Sequence, residues 1–202
     1  MTKTQYNRIF LAIGAAALVV VLGIVIAKKS GTEEGAAPGS IALGTWATDR
    51  EAEQIEQEFN EQVDTTGWKV FDASTYGFKF RYPSDFKVGR FLQGEGEMIV
   101  VQNPAKKIGF QIYIENVEED INMTPERIKQ DIQDVRILDY EPMVFKTEGG
   151  RQGLSFISDS KDFGGRSREI WFTHKGVLYQ ISTYAYADAF LQKVLGTWEF
   201  YK

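Results

Sequence analysis

Tyr76-Gly77-Phe78-Lys79-Phe80-Arg81-Tyr82-Pro83-Ser84-Asp85 carries the clearest period in the chain. Phe78, Phe80 and Tyr82 alternate with Lys79 and Arg81, so an extended backbone puts three aromatics on one face and the bases on the other. Pro83 has no N–H to give to a ladder, and Ser84-Asp85 favours a turn, so the strand stops there. Residues 86–92 form a second strand, closed by Gln93-Gly94-Glu95-Gly96. Residues 98–102 are apolar on both faces, as a central strand would be. After the turn Asn103-Pro104-Ala105-Lys106-Lys107, Ile108, Phe110, Ile112 and Ile114 face one way, with Gln111, Tyr113 and Glu115 opposite.

A helix interrupts the strands. Thr124 stands as N-cap, Pro125 takes the first helical position, and Glu126 suits the positive end of the helix dipole. Ile128, Ile132 and Val135 or Arg136 follow at helical spacing. Strands resume over 140–147, with Pro142 marking a start or an edge, and over 153–157, 168–174 and 177–184. Glu148-Gly149-Gly150, Phe163-Gly164-Gly165 and Lys175-Gly176 separate them. His174-Lys175-Gly176-Val177 has the composition of a tight hairpin, because glycine adopts positive φ at low cost. Residues 187–195 read as a short helix on Ala189, Phe190, Val194 and Leu195, ended by Gly196. Residues 197–201 form a last strand with Trp198 and Phe200 turned inward. Hairpin-joined strands with two or three helices among them give an α+β class, an antiparallel sheet flanked by helices.

Before Trp68 the period is helical. Ala52, Ile55, Phe59 and Val63 recur at three- and four-residue spacing behind a cap at Thr48 or Asp49, and Gly67 closes this helical segment, 46–66. The stripe is narrow and the other face is rich in Glu and Gln, which suits a helix packed on the domain, a stalk, or a helix that binds a partner. Residues 28–45 contain Ser30-Gly31-Thr32-Glu33-Glu34-Gly35 and Ala37-Pro38-Gly39, the composition of a flexible linker.

Residues 9–27 are an unbroken apolar run, IFLAIGAAALVVVLGIVIA. As a helix it spans ~28 Å, close to the ~30 Å hydrocarbon core of a bilayer. Lys28 and Lys29 follow, where long cationic side chains reach the headgroups. A cleaved signal peptide would carry a shorter apolar region of about 7–15 residues with a small-residue cut site close behind. The run is longer, and the nearest small-residue cluster, 35–39, lies several residues beyond the Lys pair. An uncleaved single-pass anchor is therefore the expectation, in preference to a signal peptide or a buried core helix. A pilin-type stem would need a Gly-Phe cleavage site and a Glu just inside the run, and neither occurs. Lys3, Arg8 and the terminal amine outnumber Lys28 and Lys29, which tilts residues 1–8 toward the cytoplasm and residues 67–202, the α+β domain, to the extracytoplasmic side.

The charge balance narrows the function classes. The 202 residues carry 23 bases and 28 acids, and all four bases of the first 29 residues lie around the apolar run. The remainder has a net charge of −9, which argues against nucleic acid as a partner, since phosphate neutralisation needs clustered Lys and Arg. With no cysteine there is no disulfide, thiolate catalysis, zinc–thiolate centre or lipid-modified cysteine anchor. His174, the one histidine, sits at a hairpin end, where a solvent-exposed turn residue is expected and a metal or catalytic role is not. Glu115-Asn116-Val117-Glu118-Glu119-Asp120 offers oxygen ligands of the kind Ca²⁺ takes. It lacks the alternating Asp/Asn ligands and central Gly of a calcium loop, so a solvated acidic loop is the expectation. Asn122-Met123-Thr124 matches a glycosylation sequon but overlaps the Thr124 cap, which is the better reading. Gly149-Gly150 and Gly164-Gly165 do not open a helix after a strand, as a phosphate cradle would, and read as hinges. Asp159-Ser160-Lys161-Asp162 lacks a nearby histidine for a triad. No catalytic, cofactor-binding or metal-binding residue is assigned.

Two segments resemble a known family. Ser74-Thr75-Tyr76-Gly77-Phe78-Lys79-Phe80-Arg81-Tyr82-Pro83-Ser84-Asp85-Phe86 is similar to the opening of PsbP-like domains, where a Gly-Phe strand runs into Tyr-Pro-x-x-Trp. Leu195-Gly196-Thr197-Trp198-Glu199-Phe200 is similar to their final strand, Leu-x-Thr-aromatic-x-Phe. Phe86 stands where Trp is usual, which keeps an aromatic plug. The resemblance covers residues 70–202. It implies a central antiparallel sheet sandwiched by helices, in a domain found outside the cytoplasmic membrane or in the thylakoid lumen. Plant and cyanobacterial PsbP assist the oxygen-evolving photosystem and influence its calcium and chloride retention. No photosystem-contacting or metal-binding residue of the family maps onto these motifs.

The function expected from the residues and the resemblance together is a bacterial, membrane-anchored extracytoplasmic module without enzymatic activity. It would sit in the lipid bilayer through residues 9–27, with a protein partner at the membrane or envelope. The alternatives are an envelope-facing enzyme, which needs ionisable groups converging in one cleft, and an ion or ligand sensor using the loop 115–120.

Overall fold

The structure, a computed structural model, describes residues 47–118, 120–131, 135–144, 152–160 and 165–201. The anchor 9–27, the linker 28–45, Trp46, Glu119, Gly149-Gly150 and residues 161–164 lie outside the described residues. Among the described residues no helix is long and apolar enough to cross a membrane.

Helix α1 (Asp49–Asn60) begins at Thr48, whose hydroxyl accepts from the Glu51 N–H while the Glu51 carboxylate accepts from the Thr48 N–H, a reciprocal capping box. The same carboxylate accepts from Lys107 Nζ at 2.9 Å, and these bonds, Lys107 first, hold it down to about 2. Ile55 and Phe59 are the buried members of the stripe. The helix stops at Asn60, short of the expected 46–66, because the next residues bond locally. Asp64 Oδ1 accepts from the Thr66 N–H and the Trp68 N–H donates to the Thr65 carbonyl, which makes a turn of 64–68. Phe59 meets Phe190 edge-on at 5.0 Å, so α1 packs on the domain.

Strands β1 (Lys69–Ala73) and β2 (Phe78–Tyr82) pair antiparallel, with Phe71 across from Phe80 and Ala73 across from Phe78. The second edge of β2 takes β10 (Glu199–Phe200), and the three form a small sheet in the order β1-β2-β10. The remaining strands are β3 (Lys87–Gln93), β4 (Gly96–Asn103), β5 (Ile108–Asn116), β6 (Ile137–Val144), β7 (Gln152–Ser160), β8 (Gly165–His174) and β9 (Val177–Tyr184). They build a seven-stranded sheet in the order β3-β4-β5-β9-β8-β7-β6, every neighbour antiparallel. The antiparallel α+β class is as expected, but the strands divide into two sheets where one was read. Pro142 lies in β6, an edge strand, where its missing N–H costs no ladder bond. The β8–β9 turn has positive φ at Lys175 (51°) and Gly176 (73°), the signature of a type I′ hairpin.

The large sheet is apolar on both faces. On the first, Ile99, Phe110, Ile112, Phe172 and Tyr179 pack against the small sheet, α1 and helix α3 (Asp188–Leu195) in one core. Phe78 stacks on Trp198 with ring centroids 4.3 Å apart and planes 6° apart, and Phe86 meets Phe190 at 5.0 Å. On the second face, Leu154, Phe156, Trp171 and Leu178 receive Met123 and Ile128, the latter from helix α2 (Pro125–Asp131). Met98, Val100, Tyr113 and Tyr184 form a separate cluster there.

Gly96 is where two backbones come too close for a side chain. A Cβ would lie 2.4 Å from the Ile114 carbonyl oxygen and 2.6 Å from the Tyr113 ring. Gly96→Ala is expected to destabilise the domain by about 2 kcal/mol through forced displacement of β5, read as a lower urea midpoint at unchanged slope.

Candidate functional site: a buried carboxyl on the second face of the sheet

Alternation along β8 sends Ile170, Phe172 and His174 to the first face and Ser167, Glu169, Trp171 and Thr173 to the second. Glu169 is 3% exposed. Phe156 faces it from β7 and Ser182 from β9. The Ser182 hydroxyl donates to its Oε2 at 2.6 Å and the Ser167 hydroxyl to its Oε1 at 2.7 Å, while Trp171 Nε1–H approaches Oε2 at 3.4 Å. Every one of these partners is neutral. Burial pushes the carboxyl up to about 7 against the opposing pull of the donors, Ser182 first. The Ser158 hydroxyl, buried on the same face directly across from Ser167, has no hydrogen-bond partner among the described residues. Such an arrangement can hold or release a proton near neutrality. With so little of the carboxyl at the surface, it offers no approach for a substrate.

Glu115 is the second buried carboxyl of this face. Tyr113 Oη donates to it at 3.3 Å, and burial raises both groups above their usual ranges. Glu115 lies on β5 across from Leu178, which faces Thr173, four residues along β8 from Glu169. Strand spacings put the two carboxyls roughly 15 Å apart, too far to act together on one bond as paired glycosidase carboxyls do.

The acidic loop is dispersed. Glu115 bonds Tyr113, Glu118 is exposed, and Asp120 accepts from the amides of Gly176 (2.8 Å) and Lys175 (3.1 Å), tying the loop to the β8–β9 hairpin. Among the described residues no group of His, Asp and Glu could hold a metal ion. Beyond Asp120 the chain becomes a strap over the second face. Thr173 Oγ1 accepts from the Ile121 N–H and donates to its carbonyl, and the Met123 N–H reaches the Gln152 carbonyl at 2.9 Å. Thr124 caps α2 as expected, accepting from the Arg127 N–H.

His174 corrects the sequence reading. It is 6% exposed, not a solvated turn residue, and its ring centre lies 4.1 Å from that of Phe200. Strand β10 covers it, and a segment 26 positions along the chain leaves no trace in the local pattern. Burial lowers its pKa, with Lys175 adding to the effect and Asp120 opposing it. Asp159 pairs with Arg136 at 3.6 Å on the surface. Glu169 went unassigned in the sequence, although a signal was present. Ile170 and Phe172 on one side and Trp171 on the other mark β8 as buried on both faces, and a glutamate inside such a strand must be buried too.

No family model matches the chain, and no curated protein matches it. Among solved structures it is similar to a crystal structure from Bacteroides thetaiotaomicron VPI-5482, with 17% identity, a TM-score of 0.37, and coverage of 68% of this chain and 50% of the other. It is also similar to the solution structure of cyanobacterial PsbP (CyanoP) from Synechocystis sp. PCC 6803, with 11% identity, a TM-score of 0.48, and coverage of 70% of this chain and 96% of that one.

Proposed function

We propose that this chain is a PsbP-like binding or assembly module, held in a membrane by residues 9–27 and serving a membrane or envelope protein complex without chemistry of its own. Its N-terminus is cytoplasmic and residues 67–202 are extracytoplasmic in this reading. The observation that carries it is the meeting of the two PsbP-like segments. Residues 74–86 and 195–200 lie far apart in sequence, yet their strands β2 and β10 are hydrogen-bonded neighbours and Trp198 stacks on Phe78. Thr197 completes the joint, accepting from the Arg81 N–H at 2.8 Å. The buried carboxyls support the non-enzymatic part, since each is bonded to neutral groups within the fold and the two are far apart.

Carbonate-washed membranes and protease added to spheroplasts test the placement. The full chain is expected to stay in the washed pellet, and external protease is expected to remove everything beyond the linker. A salt-washed soluble product beginning past residue 27, or a domain cleaved only from the cytosolic side, overturns it. In-cell crosslinking is expected to join the domain to one membrane protein in near-stoichiometric yield. A domain that stays uncrosslinked and turns over an envelope substrate overturns the module reading.

A further inference from the structure

Trp171 connects two features of the second face. Its Nε1–H points at the Glu169 carboxyl, and its ring belongs to the cluster that includes Met123 and Ile128 of the strap. Among the described residues no cation stands beside that carboxyl, so ionising it places an uncompensated charge next to the apolar cluster of Phe156, Trp171 and the strap, which favours admission of water. We propose that Glu169 is a proton-controlled latch that holds the strap 121–131 closed over the sheet when its carboxyl is neutral and loosens it when the carboxyl ionises.

The surroundings fit a latch driven by one group. Phe156 and Ser182 face Glu169 from the flanking strands, and Ser167 and Trp171 flank it on β8. Among the described residues, Tyr184 and Tyr113 are the other titratable groups of this face near it, and burial raises both phenols above their usual range. Glu126 and Lys129 of α2 are exposed and Arg127 is half-buried. Arg168 points to the first face, where it bonds Ser155 and pairs with Asp188 at 3.1 Å. The Arg136–Asp159 pair sits at the surface. Among the described residues no charge contributes to the Glu169 shift, and burial raises it to about 7, inside the range a compartment can cross.

The test is carboxyl-carbon NMR of the full chain, labelled at glutamate, in detergent micelles from pH 4 to 9. One carboxyl is expected to titrate near 7 and to vanish in Glu169→Gln. The Trp171 indole N–H resonance is expected to move with the same midpoint. Amides of 121–131 are expected to exchange at least several-fold faster above that midpoint, after correction for intrinsic rates, and this step is expected to be lost in Glu169→Gln. If Glu169→Gln does not fold, Ser182→Ala decides. It removes a donor to the charged form, so the midpoint is expected to rise by about half a unit or more. A Glu169 carboxyl titrating with the ordinary glutamates near 4–5, an unmoved midpoint in Ser182→Ala, or strap amides indifferent to the transition each overturns the latch.

Discussion

Phe78→Ala is expected to lower the unfolding free energy by about 4 kcal/mol, within the range for emptying a buried phenylalanine site. Phe78 has no exposed surface, and its ring is held on several sides. Trp198 stacks on it at 4.3 Å, Tyr179 meets it edge-on at 5.6 Å, and Phe80 lies 6.2 Å away. The cavity cannot collapse easily, because those neighbours belong to three separate strands or their flanks. The indole of Trp198 loses a stacking partner as well, worth about 1 kcal/mol beyond the area buried. Urea denaturation followed by tryptophan fluorescence reads the change as a shifted midpoint at unchanged slope. Arg81→Ala, on the solvent face of the same strand, is the control and is expected to move stability by less than about 0.5 kcal/mol. A Phe78→Ala loss below 1 kcal/mol would mean that the small sheet is not seated on the large one as described.

The second large effect is a fall in stability with rising pH. The Glu169 carboxyl rises in the folded chain to about 7 from its ordinary 4.5. Between those values the folded chain holds the proton and the unfolded chain has released it, so stability is greatest on the acid side and is lost as pH climbs toward 7. The size is about 3 kcal/mol, from 1.36 kcal/mol for each pH unit of the window. Glu115, also raised by burial, acts in the same direction. His174 acts oppositely. Its pKa is lowered from 6.5, so the unfolded chain protonates first as pH falls, and stability is lost on the acid side of that value. The difference between the wild type and Glu169→Gln removes both of these contributions. At pH 8 the variant is expected to be more stable than the wild type, and at pH 5 it is expected to lose that advantage. Parallel pH profiles for the two proteins would show that Glu169 titrates as an ordinary glutamate.

The fold and the candidate site were legible to different degrees for physical reasons. The strand 78–82, the strand 177–184, the capping of α2 by Thr124 and the Gly176 turn were all readable. Alternation, a missing proline N–H and a glycine φ are properties of a few consecutive residues. The packing of both faces of β8 was half readable, since Ile170, Trp171 and Phe172 announce burial but do not say what provides it.

Residue order alone therefore determined most of the elements, though not β1 or the end of α1, together with their class and the acidic, cysteine-free character of the chain beyond residue 29. Tertiary structure alone decided that β2 leaves the large sheet for β1 and β10, that Phe200 buries His174, and that Glu169 ends up among neutral donors. Local preferences act over a turn or a strand, whereas the partner that desolvates a side chain comes from wherever the chain returns. Arg81 and Thr197, 116 residues apart and joined by one hydrogen bond, measure that distance.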